Sequence, residues 1–231
     1  MQNKVVDVEL ALVLIWIYEM ATFNWIINES KLPWLKLDIE FPYQEMLKEA
    51  QDLKNEFVPH RAEDQIAGYK HKGWASLCLH GISESSTNHY TSYGYKSNKE
   101  TPYKWTDIAS QCPYTYNFLK NIYPCNIYYR VRFMLLEPGG FIVPHTDMNE
   151  HKLSPVNIAL NHPKNCIMKM AYHGTVPFKE GTAFILDVGN THAYYNKSNE
   201  GRYHIIIHGN YQTNKKWKQL IEDSYEKNGN K

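Results

Sequence analysis

The sequence lacks an apolar run long enough to cross a membrane. Its longest run, Leu10–Tyr18, places nine apolar residues between Glu9 and Glu19, whereas a spanning helix needs about 20. Acidic residues rather than a basic stretch precede this run, which argues against a secretory signal. We therefore expect Leu10–Tyr18 to be a buried helix or strand in a cytoplasmic protein without a membrane partner.

Cysteine is scarce, and neither sign of charge dominates. The four cysteines are well separated and form no Cys-x-x-Cys pair, which excludes a zinc knuckle and a thioredoxin-like motif and predicts buried free thiols. The 25 basic and 24 acidic residues give a formal net charge of +1. Proteins that bind nucleic acid usually carry a basic excess, so no nucleic-acid partner is expected.

The chain does contain enough apolar side chains for a sizeable core. Hydrophobic residues make up 43% and aromatic residues 14% of the 231 residues, which predicts a globular rather than a disordered protein. This length fits one large domain. We therefore expect a single domain over residues 1–231.

The local patterns predict a mainly β fold with flanking helices. Tyr43–Phe57 places apolar residues three and four positions apart, as an amphipathic helix does, and Pro59 follows. From Trp74 onward, short runs rich in β-branched and aromatic residues alternate with Gly, Pro and Asn, which predicts strands. The predicted strands are WASLCLHGI, YYRVRFMLL, NIALN, CIMKMAYH, TAFILDV and YHIIIHG. Their number and spacing predict a jelly-roll, or double-stranded β-helix, core over residues 71–212. We expect residues 1–70 to be mainly helical and 213–231 to form a C-terminal helix and tail.

A histidine and an aspartate two residues apart follow one of these strands. His145 and Asp147 come after the segment Glu137-Pro-Gly-Gly, and in extended chain residues i and i+2 point to the same face. An imidazole beside a carboxylate supplies two ligands of the His-Asp-His arrangement that binds iron(II) and leaves positions open. Because the chain has 11 histidines, this pair alone is weak evidence, and a third ligand is required.

His192 and Arg202 complete the pattern. His192 follows the strand TAFILDV, and Arg202 opens the strand RYHIIIHG. A guanidinium that reaches into a small barrel can bind a dicarboxylate through two charge-assisted hydrogen bonds. His204 and His208 share a strand face with Arg202, so either is an alternative to His192 as metal ligand. We favour His204 as a neighbour of the cosubstrate.

Together these segments resemble the aspartyl/asparaginyl β-hydroxylase family of iron(II)- and 2-oxoglutarate-dependent oxygenases, especially its short bacterial and phage-like members. The resemblance covers roughly residues 74–209. The matching pieces are Trp74 with its strand, RVRFMLLEPGGFIVPHTD, VNIALN, the strand from Gly181 to Asp187, HAYYN and RYHIIIHG.

The resemblance implies an activity and its cofactors. It implies that His145, Asp147 and His192 bind iron(II), and that Arg202 binds the distal carboxylate of 2-oxoglutarate. Where the family often has Arg-x-His after the His-x-Asp motif, this chain has Pro-Val-Asn, so Asn157 stands at the histidine position. The contact to the carboxylate nearest the metal is therefore expected to differ.

The resemblance also implies a reaction. The expected substrate is a free amino acid or a side chain in a peptide, with Asp or Asn hydroxylation included. The reaction would consume O2 and release succinate and CO2.

Trp74 and Arg132 are candidates for substrate binding. Arg130 and Arg132 share the strand face opposite Val131, and the sequence leaves open whether that face meets the pocket or solvent. In the first case Arg132 would bind a substrate carboxylate. Trp74 is a candidate pocket wall, with core packing as its alternative. For His60 the sequence identifies no partner.

Two other functional classes stay open. A jelly-roll metalloprotein of other chemistry, an isomerase or hydrolase, would need no dicarboxylate clamp such as Arg202. A non-catalytic binding module would not need the complete set of metal ligands. The sequence does not predict the oligomeric state.

Overall fold

We describe the fold from a computed structural model that describes residues 31–61, 70–147 and 155–229. Leu10–Tyr18 and most of the region expected to be helical lie outside these residues. The strands are β1 (Trp34–Leu37), β2 (Val58–Pro59), β3 (His71–Gly81), β4 (Lys104–Trp105), β5 (Ile127–His145), β6 (Val156–Ala159), β7 (Cys166–Met170), β8 (Gly174–Thr175), β9 (Thr182–Leu186), β10 (His192–Asn196) and β11 (Arg202–Asn210). The helices are α1 (Tyr43–Asp52), α2 (Asp107–Ser110), α3 (Pro113–Asn117) and α4 (Lys215–Asn228), with short 3-10 turns at Lys54–Glu56 and Tyr90–Tyr93 and a π-helical turn at Phe118–Ile122.

The described strands form one curled antiparallel sheet. Its order is β1-β9-β6-β11-β5-β10-β7-β8, with β3 along the other side of β5 and with β2 and β4 paired to β3. The predicted fold class, mainly β with flanking helices and a jelly-roll core, is confirmed. The region expected to be mainly helical also contains strands, because β1 pairs with β9 and β2 with β3.

β5 changes partners halfway along its length. Its first half pairs with β11, and its second half, from Phe141, pairs with β10. Between the halves, residues 137–140 bulge out opposite Gly73 of β3. Gly139 has a φ of +71°, which favours glycine. A Cβ on Gly140 would lie 2.7 Å from the Glu137 carbonyl oxygen. The predicted turn is therefore a bulge inside one long strand, and it directs the end of β5 toward β10.

The two faces of the sheet differ in chemistry. Alternate residues of β5 and β11, among them Phe133 and Ile205, join the larger apolar cluster, which also includes residues from α1, α2 and α4. The opposite, inner face carries a smaller cluster that includes Leu136 and Tyr194. We call this face the inner face below. By alternation, it also holds the buried polar residues of β5, β6 and β11.

α1, α4 and the free cysteines match what the sequence predicts. α1 is followed by a 3-10 turn within the predicted helix, and α4 contains the predicted C-terminal helix. Asn214 caps α4 by accepting a hydrogen bond from the Trp217 backbone N–H at 3.0 Å. All four cysteines are free, three of them buried and Cys125 partly exposed. Within the described residues, no helix is long and apolar enough to cross a membrane.

Candidate active site

The structure brings His145, Asp147 and His192 together at the end of β5. The register of β5 and β10 places His192 directly opposite His145, and their ring centroids lie 4.3 Å apart. Asp147 follows two residues after the strand end, where its backbone N–H donates to the Val188 carbonyl at 3.1 Å. One ligand atom from each residue lies within 4.8 Å of the other two, and this is the one such group found in the described part of the chain.

Backbone contacts orient both imidazoles. His145 Nδ1 lies 2.7 Å from the Val143 carbonyl oxygen, and His192 Nδ1 lies 2.9 Å from the Asn190 carbonyl oxygen. A carbonyl accepts, so each Nδ1 carries a proton, and in the neutral ring each Nε2 has the lone pair that binds a metal. These Nε2 atoms face Asp147, at 3.5 Å for His145 and 3.9 Å for His192. This fixed tautomer is the usual state of metal-binding histidines.

Asp147 is held in its charged form. Burial, the largest single influence, would raise the pKa of its carboxyl, but the His145 hydrogen bond and the charges of His192, His145 and Arg61 together outweigh it. The pKa of Asp147 therefore lies well below its usual range. Burial is the main cause that lowers the pKa of His192, although Asp147 opposes it. A divalent cation binds an ionised carboxylate and takes the place of any proton on the imidazole Nε2 atoms.

The donor set fits iron(II). Two imidazole nitrogens and one carboxylate oxygen at adjacent positions match the facial set that leaves other positions free. The side chains of His145 and His192 are 8% and 2% exposed, while that of Asp147 is 38% exposed. The site is therefore closed on the histidine side and open on the Asp147 side.

Arg202 lies deep on the inner face. It is 3% exposed, and its guanidinium carbon sits 4.9 Å from the centre of the Tyr194 ring. Its strand, β11, is not a neighbour of β10, because β5 lies between them. The Arg202 side chain nevertheless reaches β10 by packing over Tyr194.

Asn157 and His204 share this face and have unfilled hydrogen-bonding atoms. Arg202 Nε, Asn157 Oδ1 and His204 Nδ1 are buried without a hydrogen-bond partner among the described residues. Buried polar atoms are nearly always paired in native proteins, so three unpaired atoms on one face indicate a polar ligand. Burial, followed by Arg202 and then His162, lowers the pKa of His204 well below its ordinary value. A neutral His204 beside a cationic Arg202 suits a carboxylate.

A cavity of about 330 Å³ opens beside Asp147. Trp74, Arg130 and Arg132 are among the residues that line it. The two arginines thus face the pocket rather than solvent, which answers the question that the sequence left open. Trp74 also lines the cavity, whereas Arg202 does not.

The sequence missed two residues of this cavity and left one alternative open. Arg61 lies 3.8 Å from the Asp147 carboxylate, and His60 contacts Ser76, Thr87 and Arg132. Neither belongs to a motif, because both directly follow β2, far in sequence from the three metal-ligand candidates. The alternative ligands His204 and His208 both lie outside the group that gathers around Asp147.

Comparisons with known proteins place the chain in a family. The family model for aspartyl/asparaginyl β-hydroxylase matches residues 40–210, well over half of the chain. A comparison with curated protein sequences finds no significant match.

Several solved structures are similar to this chain. A prolyl hydroxylase from Trichoplax adhaerens, in complex with a hypoxia inducible factor peptide, has 12% identity and a TM-score of 0.48, over 83% of this chain and 91% of that one. A prolyl-4-hydroxylase from Pseudomonas putida has 12% identity and a TM-score of 0.43, over 78% and 94%. The collagen prolyl hydroxylase of Paramecium Bursaria Chlorella virus-1 has 10% identity and a TM-score of 0.39, over 77% and 95%.

The assignment rests on the family model and not on these distant likenesses. The chain belongs to the aspartyl/asparaginyl β-hydroxylase family, and the protein is an iron(II)- and 2-oxoglutarate-dependent oxygenase of the hydroxylase type.

Proposed function

We propose that the protein hydroxylates an aliphatic carbon of an amino acid, either free or within a peptide, and that Asp or Asn side chains belong to this substrate class. In this reaction O2 gives one atom to the new hydroxyl group and the other to succinate, while 2-oxoglutarate loses CO2. His145, Asp147 and His192 would bind iron(II). The observation that carries the proposal is their grouping within 4.8 Å, with both Nε2 atoms turned toward Asp147.

Each residue has a defined task in this proposal. Iron(II), when bound together with 2-oxoglutarate, supplies the oxidising chemistry that replaces a C–H bond by C–OH. Arg202 would bind the distal carboxylate of 2-oxoglutarate, because its charge is buried and its Nε has no partner among the described residues. Asn157 and His204 would complete the polar wall around the cosubstrate. The substrate would enter through the cavity beside Asp147.

A reconstitution experiment tests this proposal. The apoprotein is loaded with iron(II) without oxygen, mixed with 2-oxoglutarate, and exposed to air with a panel of amino acids and short peptides. We expect at least one substrate to raise succinate formation well above the background without substrate, with one hydroxyl gained per succinate. His192→Ala should give no turnover. Failure of every member of the panel to couple 2-oxoglutarate loss to hydroxylation would contradict the proposal.

A further inference from the structure

The cavity beside Asp147 carries more positive charge than its own residues neutralise. Arg61, Arg130 and Arg132 line it, and Asp147 is the one acidic residue among its described lining. Arg61 lies 3.8 Å from the Asp147 carboxylate, so these two charges compensate each other. Among the described residues, no carboxylate lies within salt-bridge distance of the guanidinium groups of Arg130 and Arg132.

Arg132 is the more buried of the two. It is 4% exposed; its Nη1 donates to the Thr87 carbonyl at 2.7 Å, and its Nε has no partner among the described residues. Burial, followed by the charge of Arg130, lowers the pKa of Arg132 to about 9. For Arg130 the described residues offer no carboxylate within 4 Å. Arg132 is buried and Arg130 partly buried, and neither has a counter-charge among the described residues. Such desolvated cations are costly, and a bound anion would remove that cost.

His60 and His208 add ring nitrogens to the cavity but no charge. His60 and His208 both line it, and burial is the main cause that lowers the pKa of each well below its ordinary value, with Arg132 and Arg130 adding to it. Both rings are therefore neutral. His208 Nδ1 is a further buried atom without a partner among the described residues. Apart from Asp147, which pairs with Arg61, the described lining of the cavity thus offers several donors and no anion.

We infer that Arg130 and Arg132 together bind a carboxylate of the substrate in this cavity, at a site separate from the proposed 2-oxoglutarate contact at Arg202. The inference rests on the proposed function and adds the chemical class of its substrate. The two arginines are two positions apart on one face of β5, so their Cα atoms are separated by roughly 7 Å. Guanidinium groups bind carboxylates through paired hydrogen bonds. The cavity volume of about 330 Å³ suits a small amino acid or one residue of a peptide.

His60 is a positioning residue for Arg132. Its Nδ1 lies 3.0 Å from both Ser76 Oγ and Thr87 Oγ1, and its Nε2 lies 3.3 Å from Arg132 Nη1. With the proton on Nδ1, the Nε2 lone pair accepts from the guanidinium. The ring of Trp74 packs edge-on against His60, with centroids 4.4 Å apart. This contact network fixes the Arg132 side chain where it faces the cavity.

Calorimetry with matched probes tests the inference. The full chain is loaded with zinc(II) and saturating 2-oxoglutarate, so that no turnover occurs and the proposed cosubstrate site is filled. One pair of probes is N-acetyl-L-leucine and its amide, which differ in an α-carboxylate. The other pair is N-acetyl-L-aspartate α-amide and N-acetyl-L-asparagine amide, which differ in a side-chain carboxylate. The pair that shows the preference identifies the source of the carboxylate.

We expect the charged member of at least one pair to bind at least tenfold more tightly than its neutral partner. Arg130→Gln and Arg132→Gln should each remove most of this preference without changing the affinity for the neutral probe. Lys169→Gln, which removes one exposed charge from β7, should leave it intact. His60→Leu should weaken the preference, and His60→Gln, which keeps an acceptor, should restore part of it.

Equal affinities within both pairs, or a preference that survives both arginine substitutions, would overturn the inference, as would failure of both charged probes to bind. Because Arg130 is only partly buried, Arg130→Gln keeps the test open if Arg132→Gln fails to fold. Failure of the proposed function looks different. A carboxylate preference without hydroxylation of any substrate would contradict the proposed function alone, whereas hydroxylation without such a preference would contradict this inference alone.

Discussion

Substitution of Arg202 by alanine should weaken 2-oxoglutarate binding while leaving iron binding intact. Arg202 is 3% exposed and packs over Tyr194, and the described residues place no carboxylate within salt-bridge distance of it. A cosubstrate carboxylate would therefore be its first counter-charge. The metal ligands lie at the end of β5, just after it and at the start of β10, whereas Arg202 is on β11 and contacts β10 at Tyr194. We therefore expect the variant to keep the ligands in place.

The size of the effect on 2-oxoglutarate affinity follows from the burial of the Arg202 guanidinium. Removal of one partner from a desolvated, hydrogen-bonded charge pair costs about 2–5 kcal/mol, which corresponds to a loss of roughly thirty-fold to several thousand-fold in affinity. Arg202→Lys should recover part of this loss, because it keeps the charge but not the planar pair of donors.

The assay is an anaerobic titration of 2-oxoglutarate into the iron(II) protein, followed by the metal-to-ligand absorption band. Lys169→Gln serves as the control for a lost positive charge outside the site. Wild-type affinity for 2-oxoglutarate in Arg202→Ala would refute the assignment, and the clamp would then be sought at Arg130 or Arg132, which face the cavity instead.

Three further predictions concern the fold and the ligands. His60 and His204 are buried and neutral, with pKa values well below normal. Below about pH 6.5 these two histidines take up protons in the unfolded state but not in the folded state. The free energy of unfolding therefore falls as the pH falls. Between pH 7.5 and 5.5 the two should lower the free energy of unfolding by roughly 3 kcal/mol, and equal urea midpoints at both pH values would contradict this. Asn196 donates from Nδ2 to the carbonyls of residues 136, 137 and 200, so Asn196→Ala should lower the free energy of unfolding by about 2–4 kcal/mol. The control, Asn121→Ala at an exposed position, should lower it by under about 0.5 kcal/mol. Similar urea midpoints for both variants would argue against a stabilising role of the Asn196 hydrogen bonds. Asp147→Ala should retain weak iron binding and little hydroxylation, since both imidazoles remain, and unchanged iron affinity would show that its carboxylate is not a ligand.

Much of the sheet could be predicted because its strands are long or strongly patterned. β5, β6, β9 and β11 each contain several β-branched or aromatic residues in sequence, and β3 and β7 contain apolar runs. All six match predicted strands. β1 was missed because a four-residue segment, WLKL, is too short for its alternation to stand out. β4 and β8, with two residues each, leave no pattern that could be read.

The grouping of the metal-site candidates was also predictable, for a simple geometric reason. His145 and Asp147 are neighbours along one chain segment. The strand pattern offered His192 as the third ligand, with His204 and His208 as alternatives, and the β5–β10 register brings His192 opposite His145. The surroundings were not predictable. The pairing of Arg61 with Asp147 and the contact of His60 with Arg132 depend on how β2 and its following residues approach the inner face. No local pattern encodes that approach.

The most direct test of the account is an anaerobic iron(II) titration of the wild type and of three histidine variants. The account predicts one iron per chain in the wild type, loss of that site in His145→Ala and in His192→Ala, and retention in His204→Ala, whose ring lies outside the ligand group. Circular dichroism should show the same fold in all four proteins. Retention of tight iron binding by His192→Ala, together with its loss in His204→Ala, would contradict the assignment of the metal site.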